Sequence, residues 1–141
     1  MRRAGLVSIS IVIAFLAACG SSSPRQAEVQ AQRQWLATHA LLIQEAAGAS
    51  RTDLLPAGVQ GPVNTAGCSH ITEVATDGLA TQPMPVASLE AGWRSYLEDL
   101  RGLAESCVGG AQADVANKQL LAEASLTKLI QLENSFFTEP H

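Results

Sequence analysis

Ser125-Leu126-Thr127-Lys128 has the Ser-x-x-Lys spacing in which a lysine one helical turn away activates a serine for acyl transfer. That chemistry needs the serine at a helix N-terminus, with Ser-Asp-Asn and Lys-Thr-Gly elements beside it. Neither element occurs, and Ser125 falls in mid-helix, so the pair reads as a solvated helix face. His70 and Glu73, beside Cys68, are spaced to share one face of a helical turn as a metal or acid–base pair. A zinc site takes three or four ligands, and His39 is the only other internal histidine, so these two read as loop surface. His39, between Trp35 and Leu42, has the placement of an axial haem ligand but sits alone on the margin of an apolar stripe, where a packed, hydrogen-bonded histidine is expected. Trp35, Trp93 and Tyr96 read as core filling rather than as a ligand cluster. Glu90, Glu98, Asp99 and Glu105 alternate with Arg94 and Arg101 at spacings that allow pairs such as Glu90–Arg94, an ordinary solvated face. Phosphate-binding, dinucleotide and Gly-x-Ser-x-Gly signatures are absent, and no residue is assigned a catalytic, cofactor-binding or metal-binding role.

Met1-Arg2-Arg3 places two positive charges ahead of an apolar stretch, residues 4–18, in the order of an export signal. Fifteen helical residues at 1.5 Å each span roughly 22 Å, short of the ~30 Å hydrocarbon core, so cleavage is expected over retention as an anchor. The stretch ends Leu16-Ala17-Ala18-Cys19-Gly20, which resembles the processing site of bacterial lipoproteins. The resemblance covers about the first twenty residues. It implies that the signal, residues 1–18, is removed and that Cys19 carries the lipid. The membrane is then a partner through that lipid, with the chain on the extracytoplasmic face of a cell membrane. Gly20 stands where Asp would, in this family, suggest retention at an inner membrane, so an outer membrane remains open.

With Cys19 given to lipid, Cys68 and Cys107 are an even pair in an oxidising compartment, and a disulfide between them is expected. Neither C-x-x-C spacing nor clustered histidine points to a redox or metal pair.

Residues 19–23 form the lipidated Cys and a short Ser tether, and residues 24–141 a single helical domain. Ser23, Pro24 and Gln26 read as a capping box opening a helix over residues 24–48, with Val29, Trp35, Leu36, Ala40, Leu42, Ile43, Ala46 and Ala47 on its apolar face. Residues 51–85 are broken by prolines and glycines and read as a long ordered loop, with a helical turn or two at residues 69–76. A second helix over residues 86–108 and a third over residues 112–137 follow, joined through Gly109-Gly110 as an antiparallel hairpin. The expected fold is all-α: an antiparallel three-helix bundle with a loop-rich crossover between its first two helices.

The chain has 141 residues, 47% hydrophobic and 16% charged, too apolar for a disordered tail and too short for a two-domain enzyme. Loss of Arg2 and Arg3 with the signal leaves seven basic against thirteen acidic residues, a net charge of −6. Such a domain repels phosphate backbones, which argues against nucleic acid as partner. The expectation is a non-enzymatic adaptor with an envelope protein as partner. The alternative is a carrier of a small molecule such as a lipid, haem or a metal complex.

Overall fold

Ser23 and Gln26 close the capping box that their spacing predicts. The Gln26 N–H donates to Ser23 Oγ at 3.2 Å, and the Ser23 N–H donates to Gln26 Oε1 at 3.1 Å. Two N–H groups that a helix start leaves unpaired are thereby satisfied, and Pro24 follows where its missing N–H costs nothing. The structure, a computed structural model, describes residues 23–51, 54, 63–109 and 112–139. The expected signal, residues 1–18, and Cys19 and residues 20–22 lie outside the described residues, as does His141. Among the described residues there are five helices and no strand: α1 (Pro24–Thr38), α2 (Ala40–Ala49), α3 (Thr65–Ala80), α4 (Ala87–Gly109) and α5 (Gln112–Thr138).

The chain is all-α as expected, but its architecture departs from three helices in two places. The first helix is interrupted at His39, whose backbone (φ −109°, ψ 19°) leaves the helical well. Its N–H still donates to the Trp35 carbonyl at 3.0 Å, and its own carbonyl still accepts from Ile43 N–H at 3.0 Å, so α1 and α2 continue as one kinked rod. The imidazole Nδ1 lies 2.8 Å from the same Trp35 carbonyl, and the ring rests on Trp35 with centroids 4.3 Å apart. A side chain sharing a carbonyl with the backbone ladder is a recognised cause of a kink.

The second correction falls in the expected 51–85 loop, where residues 65–80 form α3. Asn64 caps it by accepting Gly67 N–H at 3.3 Å. Cys68, Ile71, Val74, Ala75 and Gly78 are buried at helical spacing. Gly67, Gly78 and three threonines give this segment poor intrinsic propensity, and its burial overrides that. Gly78 is there for close approach: a Cβ would stand 2.6 Å from Leu97 Cδ2 of α4.

The result is four rods running up, down, up and down. Cys68 near the start of α3 meets Cys107 near the end of α4, and Asp99 of α4 meets Ser125 of α5. The first rod runs antiparallel to α5: the Arg25 guanidinium donates to the Phe136 carbonyl at 2.6 Å, while Gln119 donates to the Ser50 carbonyl at 3.2 Å at the other end. On α4, Leu89, Trp93, Tyr96, Leu97, Leu100, Leu103, Ala104 and Cys107 are all buried, the face its periodicity predicts. On α5, Val115, Ala122, Leu126, Leu129 and Phe136 are buried, whereas Ile130 is 43% exposed.

The α3–α4 turn is held by Arg94, which donates to the carbonyls of Leu79 and, at 3.1 Å, Thr81. Glu90 accepts from Arg94 at 2.5 Å with one oxygen and from Met84 N–H at 2.8 Å with the other. The carbonyls that end α3 are thus paired by a charged side chain of the next helix.

Two glycines of similar helical setting have opposite roles. At Gly102 a Cβ would meet only the Lys118 side chain, at 3.7 Å, so Gly102→Ala is expected to stabilise by about 0.5–1 kcal/mol through reduced backbone entropy. Gly78→Ala forces aside a Leu97 that has no exposed surface, and a net loss of about 1–2 kcal/mol is expected after the propensity gain is set against overpacking. Urea unfolding midpoints that move in opposite directions for the two variants check this; two midpoints that both rise contradict it.

Candidate functional site

The end of the bundle where the first rod, α4 and α5 converge holds a partly open cavity of about 20 Å³, lined by Gln32, Leu36, Ile43, Met84, Leu89, Trp93, Leu129 and Glu133. Gln32 occupies a core position in α1, one helical turn from Val29 and from Trp35, and has no exposed surface. Its amide nitrogen donates to Met84 Sδ at 3.5 Å, while its Oε1 is buried with no hydrogen-bond partner. The Trp93 indole Nε1–H is likewise buried and unpaired. Burial pushes the Glu133 carboxyl above its ordinary value.

From Trp93 an aromatic series runs through the interior. Trp35 lies edge-on at 6.3 Å and Tyr96 tilted at 6.0 Å between ring centroids. The Trp35 indole N–H donates to the Gln82 carbonyl at 2.8 Å, and the Tyr96 hydroxyl donates to the Ala46 carbonyl of α2. The three aromatics therefore fill the bundle, as expected, and two of them also tie elements together.

Tyr96 is the chain's one tyrosine, and burial pushes its phenol up to about 12, against a smaller opposing hydrogen bond with Ser50 and the charge of Arg51. Below pH 10 the phenol is neutral in the folded and the unfolded chain, and the stability due to the buried neutral phenol is fully present. Between pH 10 and about 12 only the unfolded chain ionises, so stability falls through that window, by about 2–3 kcal/mol in all. Absorbance titration at 295 nm should show ionisation near 12, and Tyr96→Phe should flatten the stability slope above pH 10. Ionisation near 10 in the folded protein contradicts the burial.

The other sequence candidates are dispersed. Ser125 lies in the middle of α5, and its hydroxyl donates to Asp99 Oδ2, while Lys128 is exposed. Both line a surface groove of about 230 Å³ between α4 and α5, together with Ser88, Ala91, Gly92 and Ser95. His70 and Glu73 are exposed on α3, a helix surface rather than a loop. Among the described residues no group of three or more His, Cys, Asp or Glu side chains is placed to hold a metal ion. Cys68 and Cys107 stand at disulfide distance with Cα atoms 5.7 Å apart, 4% and 3% exposed. Glu90 and Arg94 form the expected pair, and Arg101 lies 3.8 Å from Glu105.

The chain matches no protein family, no curated protein and no solved structure. Any functional reading therefore rests on its own residues. Sequence reasoning missed Gln32 and Glu133. The signal for Gln32 was present: it sits at the same helical spacing as Val29 and Trp35, so a polar side chain was being carried into the core.

Proposed function

We propose that this chain is a lipid-anchored protein of a bacterial cell envelope, held on the extracytoplasmic face through Cys19, and that its helical domain is a non-enzymatic adaptor for an envelope protein. The address rests on the Arg2-Arg3 start, the apolar stretch and Leu16-Ala17-Ala18-Cys19. The observation that carries the adaptor reading is a bundle interior filled by its own side chains. Trp93, Tyr96, Leu97, Leu100 and Leu103 have at most 2% exposure, and the cavity beside Trp93 is about 20 Å³. A carrier of lipid, haem or a metal complex needs a pocket of about 300 Å³ or more. Haem ligation by His39 has no support in the geometry either, since its ring lies on Trp35 and its Nδ1 on a backbone carbonyl.

What an adaptor offers is outer surface. The groove between α4 and α5 is floored by Gly92 and bordered by Ser88, Ala91 and Ser95, small residues that allow a partner's helix to approach closely. Four residues lie between Cys19 and the start of α1, enough for at most about 14 Å. The groove is therefore presented beside the membrane, within reach of membrane-bound complexes. A photo-cross-linking residue placed at Ala91 in intact cells should capture one discrete protein, and the same residue at exposed Thr76 on α3 should not. Monomer alone at both positions, under conditions that capture known envelope complexes, counts decisively against the adaptor.

A further inference from the structure

Gln32 has no exposed surface, and its one hydrogen bond among the described residues runs from the amide nitrogen to Met84 Sδ at 3.5 Å. A thioether sulfur is a weak acceptor, so a fully buried amide donor is matched to a poor partner. That partner is held in place. Met84 lies in the α3–α4 turn between Pro83 and Pro85, and its N–H donates to Glu90 Oε2 at 2.8 Å, which fixes the backbone that carries the thioether. Met84 is 7% exposed and forms part of the wall of the partly open cavity of about 20 Å³. A space of that size has room for one added oxygen atom. Met84 is also the only methionine besides Met1.

Transfer of one oxygen to the sulfur corrects the mismatch. With hydrogen peroxide as oxidant, a sulfur lone pair attacks one peroxide oxygen, and the S–O bond forms as the O–O bond breaks. The proton on that oxygen passes to the departing hydroxide, which leaves as water. Sulfur loses two electrons and the peroxide gains them, giving methionine sulfoxide and water. Only the transferred oxygen has to be accommodated. In most packed cores a sulfoxide is a lesion, because its polar oxygen is buried without a donor. Here a buried amide N–H already faces the sulfur.

We propose that Met84 is a peroxide-modification site: the folded chain takes up one oxygen at Met84 Sδ, and the native bundle keeps the sulfoxide through a hydrogen bond from Gln32 Nε2–H. The site is separate from the α4–α5 groove and does not depend on the adaptor reading. Reduction back to the thioether consumes two thiols and releases the oxygen as water.

The protein purified from membranes into nanodiscs and treated with dilute hydrogen peroxide tests both halves, with intact mass and peptide mapping as the readout. Oxidation that required global unfolding would be slower than in the unfolded chain by the folding equilibrium constant, roughly a thousandfold or more, and would accelerate with each increment of urea. The native route predicts one oxygen gained at Met84, at a rate that urea below the unfolding transition leaves unchanged. The oxidised protein should keep its helical circular dichroism, and the Gln32 side-chain N–H signals of ¹⁵N-labelled protein should shift. In Gln32→Leu the sulfoxide oxygen has lost its donor, so oxidation should weaken the folding equilibrium about tenfold more than in wild type. Met84→Leu shows which of these changes come from this sulfur. If Gln32→Leu fails to fold, the shift of the Gln32 amide signals decides the second half. Oxidation of Met84 only as urea unfolds the chain overturns the proposal. So does an equal cost of oxidation in wild type and folded Gln32→Leu, or a set of Gln32 amide signals that oxidation leaves in place.

Discussion

Replacing Cys68 and Cys107 together by alanine is expected to lower the unfolding free energy by about 4 kcal/mol. The two residues are 39 apart in sequence, and closing a loop of that size removes entropy from the unfolded chain worth roughly this amount. Against a typical domain stability of about 5–15 kcal/mol, the loss is a large share of the whole. The effect should not be spread evenly. α3 carries two glycines and three threonines in sixteen residues, and the tie to Cys107 fastens it to α4, the helix with the most extensive buried face. Its amides should therefore be the first to exchange with solvent in the double variant, while those of the α4–α5 hairpin stay protected for longer. Urea unfolding of both forms, with amide exchange resolved by element, measures both claims. Alkylation of the native protein without reductant should leave both cysteines unmodified. Full labelling of both thiols, or a midpoint that reductant leaves unchanged, removes the bond from the account.

The hairpin of α4 and α5 was legible in the sequence because its buried positions keep strict helical spacing and its side chains are large. Leu89, Trp93, Tyr96, Leu97, Leu100 and Leu103 announce a face however the rest of the chain folds. α3 was not legible, since its face is made of Cys68, Ile71, Val74, Ala75 and Gly78, most of them small, β-branched or glycine. Such residues carry little local preference for helix, and the segment becomes one because α4 supplies a surface to pack on. Gly78 is the clearest case. In sequence it reads as a break, and in the fold it is a position where any Cβ would run into Leu97. The kink at His39 escaped for a similar reason, because the apolar residues on either side of it keep their spacing across the break. Gln32 was hidden by its type. A periodicity argument counts apolar residues, and the cavity is marked by the one polar side chain at a core position of α1.

Cys19→Ser is expected to abolish lipid attachment and move the protein from the membrane fraction. The reasoning is quantitative. Each acyl methylene buried in the bilayer contributes about 0.8 kcal/mol, so two chains of ordinary length together supply on the order of 20 kcal/mol of anchoring. Nothing in the described residues replaces that, because none of their helices is long and apolar enough to cross a membrane. Residues 4–18 offer the competing anchor. If they stayed attached, the variant would remain with the membrane at the mass of the uncleaved chain. A fatty acid bearing an alkyne, fed to cells and detected on the purified protein, separates the two outcomes when combined with an intact mass. The lipoprotein reading requires label on the wild-type chain, a mass lacking residues 1–18, and neither label nor membrane association in Cys19→Ser. Wild-type protein that keeps residues 1–18 and takes no label defeats the reading. The α4–α5 groove would then lose its position beside the membrane, because the argument for that position runs through a four-residue link that begins at a lipid.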